Sequence, residues 1–229
     1  MEYKEFAKYY DKFYQKKDYN KEVTFLMNFI NPSDKIIDIG CGTGVHASLI
    51  FKNGFDIDGL DLNNEMLEIA KTRLNSNFYL QNILDINIDK KYDVIISMFA
   101  VINHLKSVDE LEKCLSNLKV ILNDNGRIII DLHNPQSSGS KTDSYDDMTR
   151  VMEWNYDREK RIENSKITFF IGDKRYDDSH IFRIFTIDEV KECCRNVGLK
   201  VLNVYENYDI NKEGNETSKN LQFVICKEL

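Results

Sequence analysis

The sequence of this 229-residue chain predicts an α/β fold, a doubly wound and mostly parallel sheet covered by helices on both faces. Short apolar runs typical of buried strands alternate with helical stretches between the two prolines of the chain, Pro32 and Pro135. A glycine-rich turn separates the first of these runs from the helix that follows it. The length fits one domain of this class, and we expect residues 1–229 to form a single domain.

Composition and charge narrow the functions that this chain can have. Hydrophobic residues make up 42% and charged residues 30%, as in ordinary globular proteins, and the net charge is −7. A negative chain is a poor match for binding that depends on phosphate contacts, so no nucleic-acid partner is expected. No apolar run approaches the roughly 18 residues of a membrane helix, and the N-terminus lacks the layout of a signal peptide. We therefore expect a cytoplasmic chain without a membrane partner.

The cysteines predict neither a disulfide framework nor a zinc site. There are five of them, an odd number, and no CxxC pair occurs. The sequence thus indicates a reduced chain, and no metal is expected in its site.

Each part of the fold has its own pattern. Residues 1–31 predict a helical cap, because aromatic residues recur at helical spacing there: Tyr9, Tyr10, Phe13 and Tyr14. Residues 32–135 predict the core of the sheet. Its strands are expected at residues 35–39, 55–61, 78–80, 92–98 and 126–132, and its helices at about residues 45–52, 65–74 and 107–122. A capping box, Ser107 to Glu110, begins the last of these helices.

The pattern changes after Pro135. Residues 136–185 predict a small antiparallel lid, inserted after the fifth strand, that begins with a mobile polar loop at 136–147. Its strands are expected at residues 167–171 and 180–185, joined by a charged turn at 172–179. A second capping box at Thr186 and Glu189 begins a helix that ends at Gly198, and strands at 201–208 and 221–226 close the core sheet within residues 186–229.

The glycine-rich turn predicts a ligand site, since ligands of parallel sheets bind at the carboxyl ends of the strands. Asp38 is followed by Gly40, Gly42 and Gly44, and alternate glycines let the backbone approach a ligand closely before a helix N-terminus. The spacing differs from the GxGxxG of nicotinamide proteins, and no P-loop sequence is present. Asp61 ends the second strand, where its two oxygens could hold a ribose diol. An adenosine ligand without a pyrophosphate therefore fits better than NAD.

These residues, with the segment Asp61-Leu62-Asn63-x-Glu65-Met66-Leu67-x-x-Ala70, resemble the class I S-adenosylmethionine-dependent methyltransferases. The resemblance covers roughly residues 33–135 and implies a Rossmann-like sheet with S-adenosyl-L-methionine as cofactor and S-adenosyl-L-homocysteine as product. It implies that Asp38 and the glycines cradle the methionine and ribose, that Asp61 binds the ribose hydroxyls and that Met66 covers the adenine. The family often has an acid after the third strand, where this chain has Asn82, with Asp85 as the alternative.

A closer similarity is to the enzymes that N,N-dimethylate nucleotide-linked 3-amino-deoxysugars. It rests on the aromatic N-terminal segment, on Cys41-Gly42-Thr43-Gly44-x-His46 and on Ser97-Met98-Phe99. It implies that Tyr14 or Tyr10 touches the methionine end of the cofactor, and that the lid closes the substrate side and supports a homodimer. His46 either helps to seat the cofactor or caps the structure. The cofactor-binding residues predicted in all are Tyr14, Asp38, Gly40, Gly42, Gly44, His46, Asp61, Leu62, Met66, Asn82, Ile83 and Met98.

The acceptor side departs from that subfamily. The amino-sugar enzymes tend to carry an acid and aromatic residues after the fifth strand, whereas this chain has Asp131-Leu132-His133-Asn134-Pro135. An amine acceptor must lose a proton before methyl transfer, and a histidine can take it. His104 and His133 both follow strand ends that face the cofactor, so they are the predicted catalytic residues, with a structural hydrogen-bonding role as the alternative. His180 is expected to be structural.

The sequence therefore predicts methyl transfer to an amine or hydroxyl of a small polar metabolite, such as a nucleotide-linked amino sugar. Two alternatives stay open. One is a methyltransferase that acts on a protein or an RNA, although the net charge of −7 argues against RNA. The other is a non-catalytic homologue that only binds the cofactor, against which the intact glycine turn, Asp61 and Met66 argue.

Overall fold

The computed structural model describes residues 3–145 and 148–228. Its helices are α1 (Tyr3–Phe13), α2 (Tyr19–Met27), α3 (Val45–Lys52), α4 (Asn64–Arg73), α5 (Val108–Ile121) and α6 (Ile187–Asn196). Its strands are β1 (Ile36–Ile39), β2 (Ile57–Asp61), β3 (Phe78–Leu80), β4 (Tyr92–Ser97), β5 (Leu122–His133), β6 (Gly139–Tyr145), β7 (Met148–Asp157), β8 (Ile162–Ile171), β9 (Lys174–Arg183), β10 (Leu199–Glu206), β11 (Asp209–Glu213) and β12 (Asn220–Lys227). A 3₁₀ turn, Val101–His104, follows β4.

The central sheet has eight strands in the order β11-β10-β12-β5-β4-β1-β2-β3. The strands from β5 to β3 in that order are parallel, and β12, β10 and β11 add antiparallel pairs at the other edge. Consecutive residues of one strand face opposite sides, so Ile129 packs in one hydrophobic core while Ile128 and Ile130 pack in the other. Burial on both faces explains the unbroken apolar runs of the sequence. The predicted doubly wound α/β class is confirmed.

The helices begin where side chains cap them. The capping box predicted at Thr186 is complete: Thr186 Oγ1 accepts from Glu189 N at 3.1 Å, and Glu189 Oε2 accepts from Thr186 N at 2.8 Å. At α5 only half of the predicted box forms, because Glu110 accepts from Lys106 N instead of Ser107 N. Within residues 3–145 and 148–228, no helix is long and apolar enough to cross a bilayer.

The lid is more regular than the sequence indicates. The expected mobile loop at 136–147 is wrong for residues 139–145, which form β6, and β7 has no counterpart in the prediction. Strands β8 and β9 are paired along their whole lengths, so the turn expected at 172–179 shrinks to Gly172 and Asp173. Gly172 allows this tight turn because it adopts a left-handed φ of 55°. The four strands form a separate antiparallel sheet in chain order.

One face of the lid sheet packs on the cap, and we call it the inner face. Its rows follow from the strand register, which places Asp143, Arg150, Phe169 and Tyr176 side by side across the four strands. Phe13 of α1 packs on this row, with its ring 4.6 Å from the ring of Phe169. The cap is thus held between the lid and the core sheet.

Asn103 ties the lid to the core sheet. Its fully buried amide nitrogen donates to the carbonyls of His133, where the chain leaves the core sheet, and of Arg183, where it returns, at 3.1 and 2.8 Å. Its amide oxygen accepts from His133 N at 2.8 Å. Both ends of the lid are therefore anchored on one side chain.

Candidate active site

The glycine-rich turn lies at the carboxyl end of β1, as the sequence predicts. Gly40, Gly42 and Gly44 all adopt left-handed φ values, of 74°, 54° and 75°. A Cβ atom on Gly40 would lie 2.5 Å from Val101 Cγ2, and one on Gly44 would lie 2.9 Å from Ala70 Cβ, so packing also demands glycine there. A Cβ on Gly42 would meet nothing within 4 Å. The turn is therefore open at Gly42, on the side where a ligand can approach.

Asp38 is buried beneath this turn with an unsatisfied oxygen. The residue is 1% exposed, and its Oδ2 atom has no hydrogen-bond partner among the described residues. Burial is the main cause that raises the pKa of Asp38 to about 7, with the nearby carboxylates of Asp61 and Asp131 adding to it and His46 opposing it. A buried acceptor of this kind is suited to a cationic amino group.

Asp61 closes the other side of the turn. Its Oδ2 atom accepts from Gly42 N and its Oδ1 atom from Asn63 N, both at 2.8 Å. Burial raises the pKa of Asp61, although these backbone hydrogen bonds oppose that rise. Each oxygen keeps a lone pair for a further donor, such as a hydroxyl.

The remaining residues of the cofactor prediction separate into two groups. Met66 lies in the first turn of α4 and is 7% exposed, and Leu62 is 70% exposed beside Asp61. Asn82 lies after β3 and uses its amide oxygen to accept from Leu84 N at 2.9 Å. By contrast, Met98 is buried in one hydrophobic core, and the partly buried Ile83 packs against the other.

S-adenosylmethionine fits this edge of the sheet. The unsatisfied carboxylate oxygen of Asp38 matches the cationic amino group of its methionine part, and the open backbone at Gly42 beside Asp61 leaves room for its ribose. The bound cofactor supplies a methyl group that is already activated by its sulfonium charge.

His46 links the glycine-rich turn to the cap. Its Nε2 atom lies 2.6 Å from Glu22 Oε2, a residue of α2 that is 5% exposed. Lys17 pairs with the same carboxylate oxygen, and its ammonium group also lies over the Phe99 ring at 4.6 Å. Burial alone would raise the pKa of Glu22, but the interactions with His46 and Lys17 outweigh it and the pKa is lowered. The cap is therefore held on the cofactor side by a buried carboxylate.

The loop after β4 has a strained backbone that a second buried carboxylate holds. Phe99 and Ala100 adopt left-handed φ values of 69° and 59°, which are unusual for residues with side chains. Asp131, at the end of β5, accepts from their backbone nitrogens at 2.8 and 2.7 Å and from the Tyr208 hydroxyl at 2.5 Å. Burial is the main cause that raises the pKa of Asp131. This support presents the Phe99 ring to the site, 36% exposed.

Tyr14 joins the loop after β4 to the lid. Its ring packs edge-on against Phe99 with centroids 4.9 Å apart, and the guanidinium of Arg150 lies 4.9 Å from the Tyr14 ring on the other side. Burial is the main cause that raises the pKa of Tyr14, and Asp178 of the lid is near enough to add to the rise. Tyr14 thus lies between the loop that faces the cofactor and the inner face of the lid.

The structure brings the two predicted catalytic histidines to one place. The rings of His104 and His133 lie 4.8 and 6.2 Å from the ring of Phe182, on the inner face. His180, which the sequence leaves as structural, joins them with its ring 5.5 Å from His104. Three of the four histidines of the chain therefore meet between the core sheet and the lid.

Carboxylates pair with two of these histidines. His133 Nε2 lies 3.0 Å from Glu163 Oε2, and His180 Nε2 lies 3.2 Å from Asp178 Oδ2. Burial alone would raise the pKa values of Glu163 and Asp178, but the histidines outweigh it and both are lowered. His104 has no such partner among the described ion pairs. Although the residue is exposed, desolvation by the surrounding protein and the neighbouring His180 lower its pKa to about 4. His104 is therefore neutral at neutral pH.

Sequence reasoning missed several residues of this site. They are the buried ionic residues Glu22, Asp131, Arg150 and Glu163 and the partly buried Asp178. Only Asp131 carried a signal, its position at the end of a predicted strand. The other four lie in the cap or the lid. Glu22 and Glu163 pair with histidines from distant parts of the chain, whereas Arg150 and Asp178 have partners on the next strand and on the same strand.

Comparison with known proteins gives a consistent result. A family profile described as a methyltransferase domain matches residues 10–204. A dTDP-3-amino-3,4,6-trideoxy-alpha-D-glucopyranose N,N-dimethyltransferase of Streptomyces venezuelae is 27% identical over 132 residues, which span 55% of this chain and 56% of the relative.

Solved structures share the fold. An S-adenosylmethionine-dependent methyltransferase from Clostridium acetobutylicum superposes with a TM-score of 0.85 at 23% identity, covering 99% of both chains. An amino pentose methyltransferase from Micromonospora echinaspora, solved with S-adenosylmethionine bound, gives a TM-score of 0.76 at 19% identity, covering 95% of this chain and 96% of that one. At these identities the likeness is one of fold.

Proposed function

Because the chain belongs to the methyltransferase-domain family and is an S-adenosylmethionine-dependent methyltransferase, we propose that its acceptor is an amine of a small polar metabolite. The histidine cluster around Phe182 is the observation that carries this proposal. It combines a neutral imidazole, His104, with two carboxylates that can attract a cationic amine, Asp178 and Glu163. A hydroxyl acceptor would have less use for these carboxylates.

The histidines of this cluster are suited to different roles in the reaction. His104 is neutral and open to the cleft, so it accepts a hydrogen bond from the amine and turns the nitrogen lone pair toward the methyl group. With a pKa of about 4, His104 does not retain the proton of the amine at neutral pH. A histidine bonded to a carboxylate, as in the His180–Asp178 pair, can take the proton and hold the resulting charge.

The lid and the cap favour a small acceptor. Phe182, Tyr14 and Phe99 surround the space between the cofactor loop and the lid with aromatic rings, which exclude water from a displacement reaction. The relatives named for dTDP-aminosugars and an amino pentose make a nucleotide-linked amino sugar the first acceptor to test.

The test follows a labelled methyl group. The protein is incubated with methyl-labelled S-adenosylmethionine and a cell extract, which is then separated into small-molecule, protein and nucleic-acid fractions. Label in the small-molecule fraction, on nitrogen by mass spectrometry, is the expected result. Label in protein or RNA, or on oxygen, would contradict the proposal, as would binding of S-adenosylhomocysteine without any transfer.

Neighbouring residues on one strand provide a matched control. Asp178→Asn should lower turnover at least tenfold without changing S-adenosylhomocysteine affinity, because Asp178 lies on the inner face beside His180. Asp177→Asn changes the next residue, which lies on the opposite face and bonds Thr168 and Arg175, and it should retain turnover. Equal turnover by both variants would remove Asp178 from the acceptor site.

A further inference from the structure

We propose that the acceptor also carries a carboxylate or phosphate group, and that Arg150 on the inner face of the lid binds it. The inference rests on the proposed function, in that the acceptor binds between the cap and the lid. It adds a chemical class to that acceptor: an anionic amine.

Arg150 is a buried cation with unused donors. The residue is 5% exposed, and its Nε and Nη1 atoms have no hydrogen-bond partner among the described residues. Its Nη2 atom donates to Asp143 Oδ2 at 2.6 Å. Buried donors of a charged group are costly to leave unpaired, and a guanidinium N–H group makes a strong, charge-assisted hydrogen bond to a carboxylate or phosphate oxygen.

The packing around Arg150 holds its guanidinium group in one orientation. Its guanidinium lies 4.9 Å from the ring of Tyr14 and 6.0 Å from the ring of Phe13, both in the cap. Tyr14 in turn contacts Phe99, which the strained loop presents to the cofactor side. The unused donors are therefore fixed next to the place where the acceptor and the cofactor meet.

Two further cations lie around Arg150, in a chain whose net charge is −7. Lys141 occupies the inner-face position next to Asp143 on β6 and pairs with that carboxylate at 2.9 Å, and Lys16 of the cap lies over the Tyr145 ring at 4.8 Å. Asp143 thus pairs with two cations. Together Arg150, Lys141 and Asp143 carry a net charge of +1, and Lys16 adds a further positive charge. An anion is attracted to such a group.

A negative charge, that of Asp178, lies elsewhere on the inner face. Asp178 is on β9, two strands from Arg150 and two residues along from Tyr176, so the two side chains begin about 12 Å apart across the sheet. An acceptor with an amine near Asp178 and an anionic group near Arg150 would complement both. This separation suits an amine and an anion that are several bonds apart in one molecule.

The first test measures anion binding without needing the acceptor. Protein saturated with S-adenosylhomocysteine is titrated calorimetrically with pyrophosphate and, separately, with malonate. The wild type should bind at least one of these probes saturably, and which one binds distinguishes a phosphate from a carboxylate site. Arg150→Met should weaken that binding at least tenfold, and Arg150→Lys should weaken it less. The matched control is Arg175→Met, because Arg175 is an exposed arginine of the same sheet that pairs with Asp177.

The outcomes separate this inference from its rivals. Probe binding that is absent from the wild type, or equal in Arg150→Met, would overturn the proposal. If Arg150→Met weakens S-adenosylhomocysteine tenfold instead, Arg150 binds the carboxylate of the cofactor and the proposal also fails. Unchanged S-adenosylhomocysteine affinity in both Arg150 variants shows that they fold.

The second test joins the inference to the reaction. Labelled product from the small-molecule fraction should be retained on an anion exchanger at pH 8, and the KM for its precursor should rise at least tenfold in Arg150→Met. A neutral or cationic product would refute the anionic acceptor while leaving amine methylation intact. Label found only in protein or RNA would refute the proposed function, and the probe titration would still decide whether Arg150 binds an anion.

Discussion

Asp38 makes cofactor binding depend on pH in a way that can be measured. Its carboxyl group is 1% exposed and its pKa is raised to about 7, so it is largely protonated at pH 6. If its unsatisfied oxygen binds the amino group of the ligand, that cation returns the pKa toward the ordinary value near 4. Binding of S-adenosylhomocysteine must then release a proton.

The size of the effect follows from the two pKa values. A shift from about 7 to about 4 corresponds to about 4 kcal/mol of coupling between the ligand and the carboxylate. It predicts release of about 0.9 proton per ligand at pH 6 and about 0.1 at pH 8. The apparent Kd should therefore be about 80-fold higher at pH 5 than at pH 8, since affinity is lost as the pH falls through the pKa of the free protein.

Calorimetry can check both numbers. S-adenosylhomocysteine is titrated into the protein from pH 5 to pH 8 in pairs of buffers that differ in ionisation enthalpy, which gives the number of protons released. Asp38→Asn keeps the shape of the side chain but cannot ionise. It should bind up to about 4 kcal/mol more weakly at pH 8, because it lacks the coupling between the ligand and the carboxylate, and it should release no proton at any pH.

Two results would refute this reasoning. Wild-type affinity that is flat between pH 5 and pH 8 would mean that Asp38 is not the partner of a cation. A pH dependence that persists in Asp38→Asn would assign the proton to another group, with Asp61 and Asp131 the next carboxyls to replace because burial raises their pKa values as well.

Three further predictions concern the rest of the site. Asp61→Ala should lower S-adenosylhomocysteine affinity by about 1–3 kcal/mol, and unchanged titration heats would contradict its assignment to the ribose. Asp131→Asn should destabilise the fold by about 2 kcal/mol in urea unfolding, because the backbone nitrogen of Phe99 or Ala100 loses its acceptor. An unchanged unfolding midpoint would show that the strained loop does not need Asp131. Ile181→Asp should convert the expected homodimer to a monomer in sedimentation, since Ile181 is 66% exposed on the outer face of the lid; a wild type that is already monomeric would refute the dimer.

The core sheet and the glycine-rich turn could be predicted because their signals are local. Strands buried on both faces need unbroken apolar runs, and a turn with left-handed residues needs glycine. The lid gave weaker signals. Strand β6 places Lys141 and Asp143 on the face that packs inward, and Arg150, which also pairs with Asp143, belongs to the next strand. A strand whose charged residues pair with charges on its neighbours has the same polar sequence pattern as a loop.

The acceptor side could be predicted only in part. His104 and His133 were visible because they follow strand ends, and both do lie at the inner face of the lid. Glu163 could not be assigned to His133, because that pair depends on how β8 lies against the end of β5. Asp178 and His180 are two residues apart on β9 and therefore share one face of the sheet, a local signal that was not used. The left-handed backbone at Phe99 and Ala100 has no signature either, since neither residue favours that conformation and Asp131 imposes it from another strand.

The double hydrogen bond of Asn103 has a consequence for how new specificities can arise in this fold. Because one buried amide holds the carbonyls of His133 and Arg183, the chain leaves and re-enters the core at nearly the same point. The intervening segment is therefore a cassette, which can be exchanged without cutting the strands that bind the cofactor. Grafting the corresponding segment of a relative between these two positions, with Asn103 kept, should transfer acceptor choice and leave the cofactor half unchanged.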